Sequence, residues 1–171
     1  PSFSRNFPDP QTLVTIDQPW SVKFLNTDIG PEEPVTMPTL TDWTSSDDDR
    51  IRYYSGTAVY TTTFTVDKLP ANGKLMLNLG EVGVMARATL NGAQIGTAWM
   101  APYLIPAGSH VKEGTNILEL EVVNTWRNRM VKDASLPENQ RYTWTIVTDA
   151  RPDEKLQPSG LRGPVTLELI L

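Results

Sequence analysis

Apolar and polar residues alternate along several short stretches of the chain, the period-two signature of strands that bury one face. In "TAVYTTTFTV", Ala58, Tyr60, Thr62, Phe64 and Val66 fall on one side, with Thr57, Val59, Thr61, Thr63 and Thr65 on the other. "KLMLNLG" sets Leu75, Leu77 and Leu79 against Met76 and Asn78, and "NILELEVVN" sets Leu118, Leu120 and Val122 against Glu119 and Glu121. "VTLELIL" turns Val165, Leu167, Leu169 and Leu171 inward and Glu168 toward water, while "WSVKF" turns Trp20, Val22 and Phe24 inward. Such strands belong to antiparallel sheets with one wet face. "LNGAQIG" places Asn91-Gly92 between two strand-like runs, where a type I′ hairpin turn demands positive φ at both central residues. Gly114 in "KEGTN" has a similar role before the next strand. About eight or nine strands are expected, and a two-sheet sandwich buries that many better than one open sheet.

Between these runs the pattern breaks. Residues 28–50 form a proline-rich and then acidic excursion, and "DASLPENQ" (133–140) and "DARPDEKLQPSG" (149–160) read as loops. No Ala/Leu/Glu/Lys-rich window is long enough for a substantial helix, and 14 prolines and 11 glycines suit many short strands. A chain of 171 residues fits one domain with a two-layer core. Its first residue is Pro1 and its last lie in an apolar run, which reads as a C-terminal segment of a longer polypeptide.

Charge and inventory exclude several functions. A net charge of −5 argues against nucleic acid as a partner. There is no apolar run long enough to span a bilayer and no signal peptide, so no membrane partner is expected. The chain has no cysteine, hence no thiolate nucleophile or ligand. His110, in "PAGSHVKEG", is the only histidine; it rules out a multi-histidine metal site within the chain and reads as an exposed loop residue. "SSDDDR" offers oxygen ligands for calcium but lacks the alternating ligand and glycine pattern of a calcium loop, so a solvated acidic turn is expected and no cofactor. The glycines of "GEVGVMARATLNG" do not open a helix, so they make no phosphate site.

The candidate chemistry follows the strand "NILELEVVN". In "NTWRNR", Asn124, Trp126, Arg127, Asn128 and Arg129 bring together a ring, guanidinium forks and amides, and "RYTWT" adds Arg141, Tyr142 and Trp144. A saccharide shows apolar C–H faces flanked by hydroxyls, so rings beside such donors suit it. The competing expectation is a seam. If the strand continues past Asn124, Trp126 shares the parity of Leu118, Leu120 and Val122 and packs into the sandwich edge; Arg127 and Arg129 then pair with acids or carbonyls, and Asn124 satisfies a turn. Trp99 and Tyr103, on the loop "TAWMAPY", pose the same choice between binding and plugging the open end of the sandwich. Met85, Met100 and Met130 would supply adaptable surface for docking on another domain.

Glycoside hydrolysis needs two carboxylates facing across the bond, about 5–5.5 Å apart for retention or about 6.5–9.5 Å for inversion. The acids here sit mostly in loop runs or on outward strand positions, and Glu81 in "LGEV" reads as a carboxylate holding a turn amide or an arginine.

The order and spacing of Gly56, Tyr60, Gly80, Val82, Asn91, Gly92, Gly96, Trp99, Pro102, Tyr103, Gly114, Asn116 and Asn124 resemble the sugar-binding jelly-roll domain of glycoside hydrolase family 2 and its relatives. "NTWRNRMVKDASLPENQRYTWT" and "SGLRGPV" are most similar to the version in family 106 α-L-rhamnosidase-like proteins, at their C-terminal end. The likeness covers residues 51–171; residues 1–50 are placed less well, and "LIPAGSHV" stands where such domains often carry an Asp-Ile-Thr-like strand. It implies an all-β, galactose-binding-like sandwich of two antiparallel sheets, an accessory domain without hydrolase activity of its own. Its implied partners are the catalytic domain of the parent enzyme and a plant or bacterial polysaccharide, in the periplasm or outside a bacterial cell.

Overall fold

A computed structural model describes residues 9–146 and 149–171. Its larger sheet runs in the order β3 (Val35–Met37), β2 (Trp20–Phe24), β4 (Thr57–Val66), β10 (Gly114–Val123), β7 (Met85–Leu90), β8 (Ala93–Ala98). Facing it lie β1 (Gln11–Thr15), β12 (Thr166–Ile170), β5 (Lys74–Asn78) and β9 (Leu104–Pro106). The short strands β6 (Glu81–Val82) and β11 (Leu161–Gly163) pair beside them. All these strand pairs are antiparallel. This is the all-β sandwich that the alternation predicts, with more strands than expected among the described residues because β3, β6, β9 and β11 are too short to show a period.

The alternating sets meet in one core. Leu120 of β10 lies between Tyr60 of β4 and Ala88 of β7, and Leu118 and Val122 repeat the arrangement one pleat away. All three are fully buried, as are Val22, Phe24, Leu77, Leu79 and Leu167. Each such side chain contributes about 1.5–3 kcal/mol on burial. The hairpin between β7 and β8 turns at Asn91 (φ 51°) and Gly92 (φ 84°), as the Asn-Gly signal requires.

Three expectations need correction. Glu168 does not face water: it is buried on the outer side of β12, where Asn78 Nδ2 (2.8 Å) and Thr166 Oγ1 (3.0 Å) both donate to its Oε1. Leu171, expected inward, is exposed beyond the last paired residue. Nor is 28–50 a plain excursion. It holds β3, a 3₁₀ turn at Trp43–Ser45 and the short helix α1 (Asp49–Arg52). Asp42 Oδ1 accepts from Thr44 N (2.9 Å) and Asp48 Oδ1 from Arg50 N (2.8 Å), so two aspartates cap these turns. The acidic run is thus partly consumed: Asp48 also pairs with Arg50 at 2.8 Å, and Asp49 with Lys132 at 2.7 Å.

That segment delivers Trp43 to the middle of the core. Its ring lies 5.2 Å from Phe24, 5.4 Å from Tyr54 and 6.5 Å from Tyr60, centroid to centroid. Trp43 Nε1 donates to Tyr60 Oη at 2.7 Å, and Leu161 N donates to the same oxygen at 3.2 Å. Burial pushes the Tyr60 phenol far above its ordinary value, so it stays neutral. Tyr60→Phe would leave two buried N–H groups without an acceptor; a loss of about 2–3 kcal/mol is expected in urea unfolding, with no change in strand content by circular dichroism.

Candidate functional site

The last residues of β10 begin the site. Val123 is the final ladder residue, opposite Thr57 and Met85. The next residue, Asn124, donates its backbone N–H to Gly56 O (3.0 Å), and its Oδ1 accepts from Gly160 N (3.0 Å). Gly83 N in turn donates to Gly160 O at 2.9 Å. Four chain segments, at Gly56, Gly83, Asn124 and Gly160, are therefore fastened together. Gly160 has φ +83°, and a Cβ there would lie 2.6 Å from Trp43 Nε1, so glycine is required for both conformation and space.

The chain then leaves the sheet, contrary to the strand continuation considered above, and forms helix α2 (Arg127–Ala134). Part of the expected 133–140 loop belongs to this helix. The signals were present: Arg, Met, Lys and Ala favour helix, Arg129 and Asp133 stand at i,i+4, and Pro137 follows the end. Alternation in the preceding strand masked them.

The helix turns the predicted cluster inward on its own loop. Arg127 Nε and Nη2 donate to Glu154 Oε1 (2.9 and 2.7 Å), Nη2 also to Oε2 (2.7 Å), and Nη1 to Asp149 Oδ1 (2.6 Å). Asn128 makes a reciprocal pair with Gln157: Nδ2 donates to Gln157 O (2.7 Å) and Oδ1 accepts from Gln157 N (2.8 Å). Buried Asp133 accepts at Oδ2 from both Thr143 N and Thr143 Oγ1 (2.6 Å each), and its Oδ1 lies 2.7 Å from Arg129 Nη2. That oxygen sits off the N–H directions, and Arg129 Nε has no acceptor among the described residues, so charge rather than a straight hydrogen bond holds the pair. The seam expectation thus describes Asn124, Arg127 and Arg129, and Asn128 belongs with them.

The rings behave differently. Trp126 is not packed into the sandwich edge: it is 56% exposed, because the chain has already left the sheet. Tyr142 stacks on it at 6.4 Å, takes Arg129 over its ring at 5.7 Å and accepts from Asn26 Nδ2 at 2.8 Å. Trp144 is 84% exposed, beside a cleft of about 330 Å³ between α2 and the following loop that Met130, Tyr142 and Thr143 also line. Trp99 is 70% exposed and plugs nothing, whereas Tyr103 packs against the core and donates to Val84 O at 3.3 Å. Glu81 is paired with Arg162 Nε at 3.0 Å, as its sequence context predicts.

Burial is the largest influence on Asp133 and opposes its charge, but the Thr143 donors and Arg129 together outweigh it and hold the carboxyl below its ordinary value. Asp149 is also lowered, chiefly by its hydrogen bond from Arg127.

Among the described residues, then, an antiparallel sandwich carries at one end a helix whose polar side chains hold an aromatic-rich loop. The sequence model for the glycosyl hydrolase 2 galactose-binding domain-like family matches residues 41–157, and the chain belongs to that family. It is 37% identical to a rhamnosidase from Novosphingobium sp. PP1Y, with TM-score 0.85 over 98% of this chain and 16% of that one. It is 34% identical to a Formosa agariphila protein named "Putative beta-glucuronidase", over 94% of this chain and 16% of the relative. A β-glucuronidase from Ruminococcus gnavus shares the fold at 23% identity, with TM-score 0.64 over 95% of this chain and 29% of that one. The chain thus spans about a sixth of the first two relatives' length.

Because the native carboxyl of Asp133 is lowered, its contribution is fully present above the ordinary value of 3.8 and is lost as pH falls through the native value. Trp144 and Trp126 fluorescence should change in that acid window before global unfolding, and Asp133→Ala should show the acid-state signal already at neutral pH. An Asp133→Ala spectrum identical to the parent's at pH 7 would contradict the clamp.

Proposed function

We propose that this chain is a non-catalytic accessory domain of a glycoside hydrolase. The observation that carries the reading is the state of the acids at the candidate site: Asp149 and Glu154 share one guanidinium and Asp133 is held against Arg129. A glycosidase acid must keep its proton until the leaving group takes it, which calls for a raised pKa. Asp133 and Asp149 are lowered instead. Likeness to the rhamnosidase supports a parent acting on α-L-rhamnosides; the second relative's name points to uronides. Since polymeric plant or bacterial glycans are met outside the cytoplasm, we place the parent in the periplasm or outside a bacterial cell. The domain needs no cofactor for this role.

A second reading, direct saccharide contact, is favoured by one observation: Trp99, Trp126 and Trp144 present open rings.

The purified chain should give no turnover of aryl α-L-rhamnosides or aryl β-D-glucuronides above the buffer rate; turnover abolished by Glu81→Gln would overturn the non-catalytic reading. On a glycan array, specific retention lost in Trp126→Ala would support saccharide contact, and a blank array with folded protein would remove it.

A further inference from the structure

The described residues leave ten large apolar side chains exposed, and only Ile117 and Leu171 lie away from the site. The ladder places the others at one end of the sandwich. Leu25 N donates to Thr57 O, and Thr57 and Met85 flank Val123 in register. Val84 precedes Met85, and Ala86 pairs with Ala98, so Trp99 and Met100 emerge beside them. Trp126 follows Val123 by three residues and stacks on Tyr142, which leads to Trp144 and Ile146. Ile146 is 86% exposed.

This composition fits protein better than sugar. Saccharide recognition requires free donors and acceptors among the rings, yet here Arg127, Asn128, Asp133 and the side-chain Oδ1 of Asn124 are committed within the chain. Leu25, Val84, Met100 and Ile146 add aliphatic and thioether surface, which suits an interface core. Side chains so open would cost a free-standing domain solubility, and exposed apolar clusters of this kind mark partner surfaces.

We infer that this end docks on another domain of the parent polypeptide, with Trp144 and Ile146 as its anchors. The occupant follows from length: the same fold makes up 16% of the rhamnosidase and 29% of the R. gnavus enzyme, so relatives carry it inside much larger chains. The inference rests on the accessory-domain reading. Helix α2 then has a defined task, since its bonds to Thr143, Asp149, Glu154 and Gln157 hold the loop that presents both anchors.

Amide exchange at residues 142–146 should be at least about tenfold slower in the full-length parent polypeptide than in the isolated chain. When the chain and the remaining polypeptide are expressed separately and mixed, Trp144→Ser/Ile146→Ser should weaken their association at least about tenfold, and Ile117→Ser, at the other end, should not. Equal exchange in both contexts would overturn the inference. So would self-association of the isolated chain lost in the double variant, or glycan retention lost in Trp144→Ser with association unchanged. Glycoside turnover by the isolated chain would instead sink the accessory-domain reading, leaving the exchange result to stand by itself.

Discussion

The structure hangs on a buried fastening where Tyr60 accepts from both Trp43 and Leu161 and Asn124 accepts from Gly160. Four remote segments converge there: the turn carrying Trp43, the centre of β4, the end of β10 and the approach to β11. Each would otherwise bring an unsatisfied polar group into an apolar interior, which costs more than the bonds return on exposure to water. Without this knot, the two sheets would still have apolar faces to bury. The long connections, however, would have no defined path across the end of the sandwich. Gly160 is the geometric condition for it, because only a residue without Cβ passes Trp43 at positive φ.

Next to the fastening, the polar chemistry is directed inward. Helix α2 uses guanidinium, amide and carboxylate groups that resemble a ligand site to hold its own return loop instead. Charge pairs on the open side, such as Arg127 with Asp149, add little stability individually. Their value here is geometric, since several act on one segment and fix where its rings point. Buried Asp133 adds a hold that is shielded from water, as it accepts from both Thr143 donors while ionised. Rigid presentation of apolar rings lowers the ordering cost of any later contact.

Much of the fold was legible along the chain. In β4 and β10 the faces assigned by parity are the faces that are buried, in β5 Leu77 is buried while Leu75 and Met76 are both half-buried, and Asn91-Gly92 turns as its backbone preference requires. The site was legible only in part. Arg127 and Arg129 were readable as charges needing partners, but Asp149 and Glu154 lie 22 and 27 residues from Arg127 and could not be matched to it from order alone, and the i,i+4 spacing of Arg129 and Asp133 makes a pair only where the segment is helical. Trp126 was misjudged because parity carries meaning only while the strand lasts, and α2 begins immediately after it. Glu168 was misjudged for a related reason: its alternation was correct, but its burial depends on Asn78 from β5 and on side chains across the outer face.

What the chain determines by itself is therefore local: strand periodicity, turns at glycine and asparagine, and the inventory that leaves one histidine and no thiol. These follow from backbone sterics and from neighbours one to four residues apart. Tertiary structure alone decided that a proline-rich excursion supplies the central tryptophan, that apparent ligand groups bind one another, and that the remaining rings gather at one end. Those outcomes pair residues separated by tens of positions, and the energy selecting them comes from burial and bond satisfaction in three dimensions.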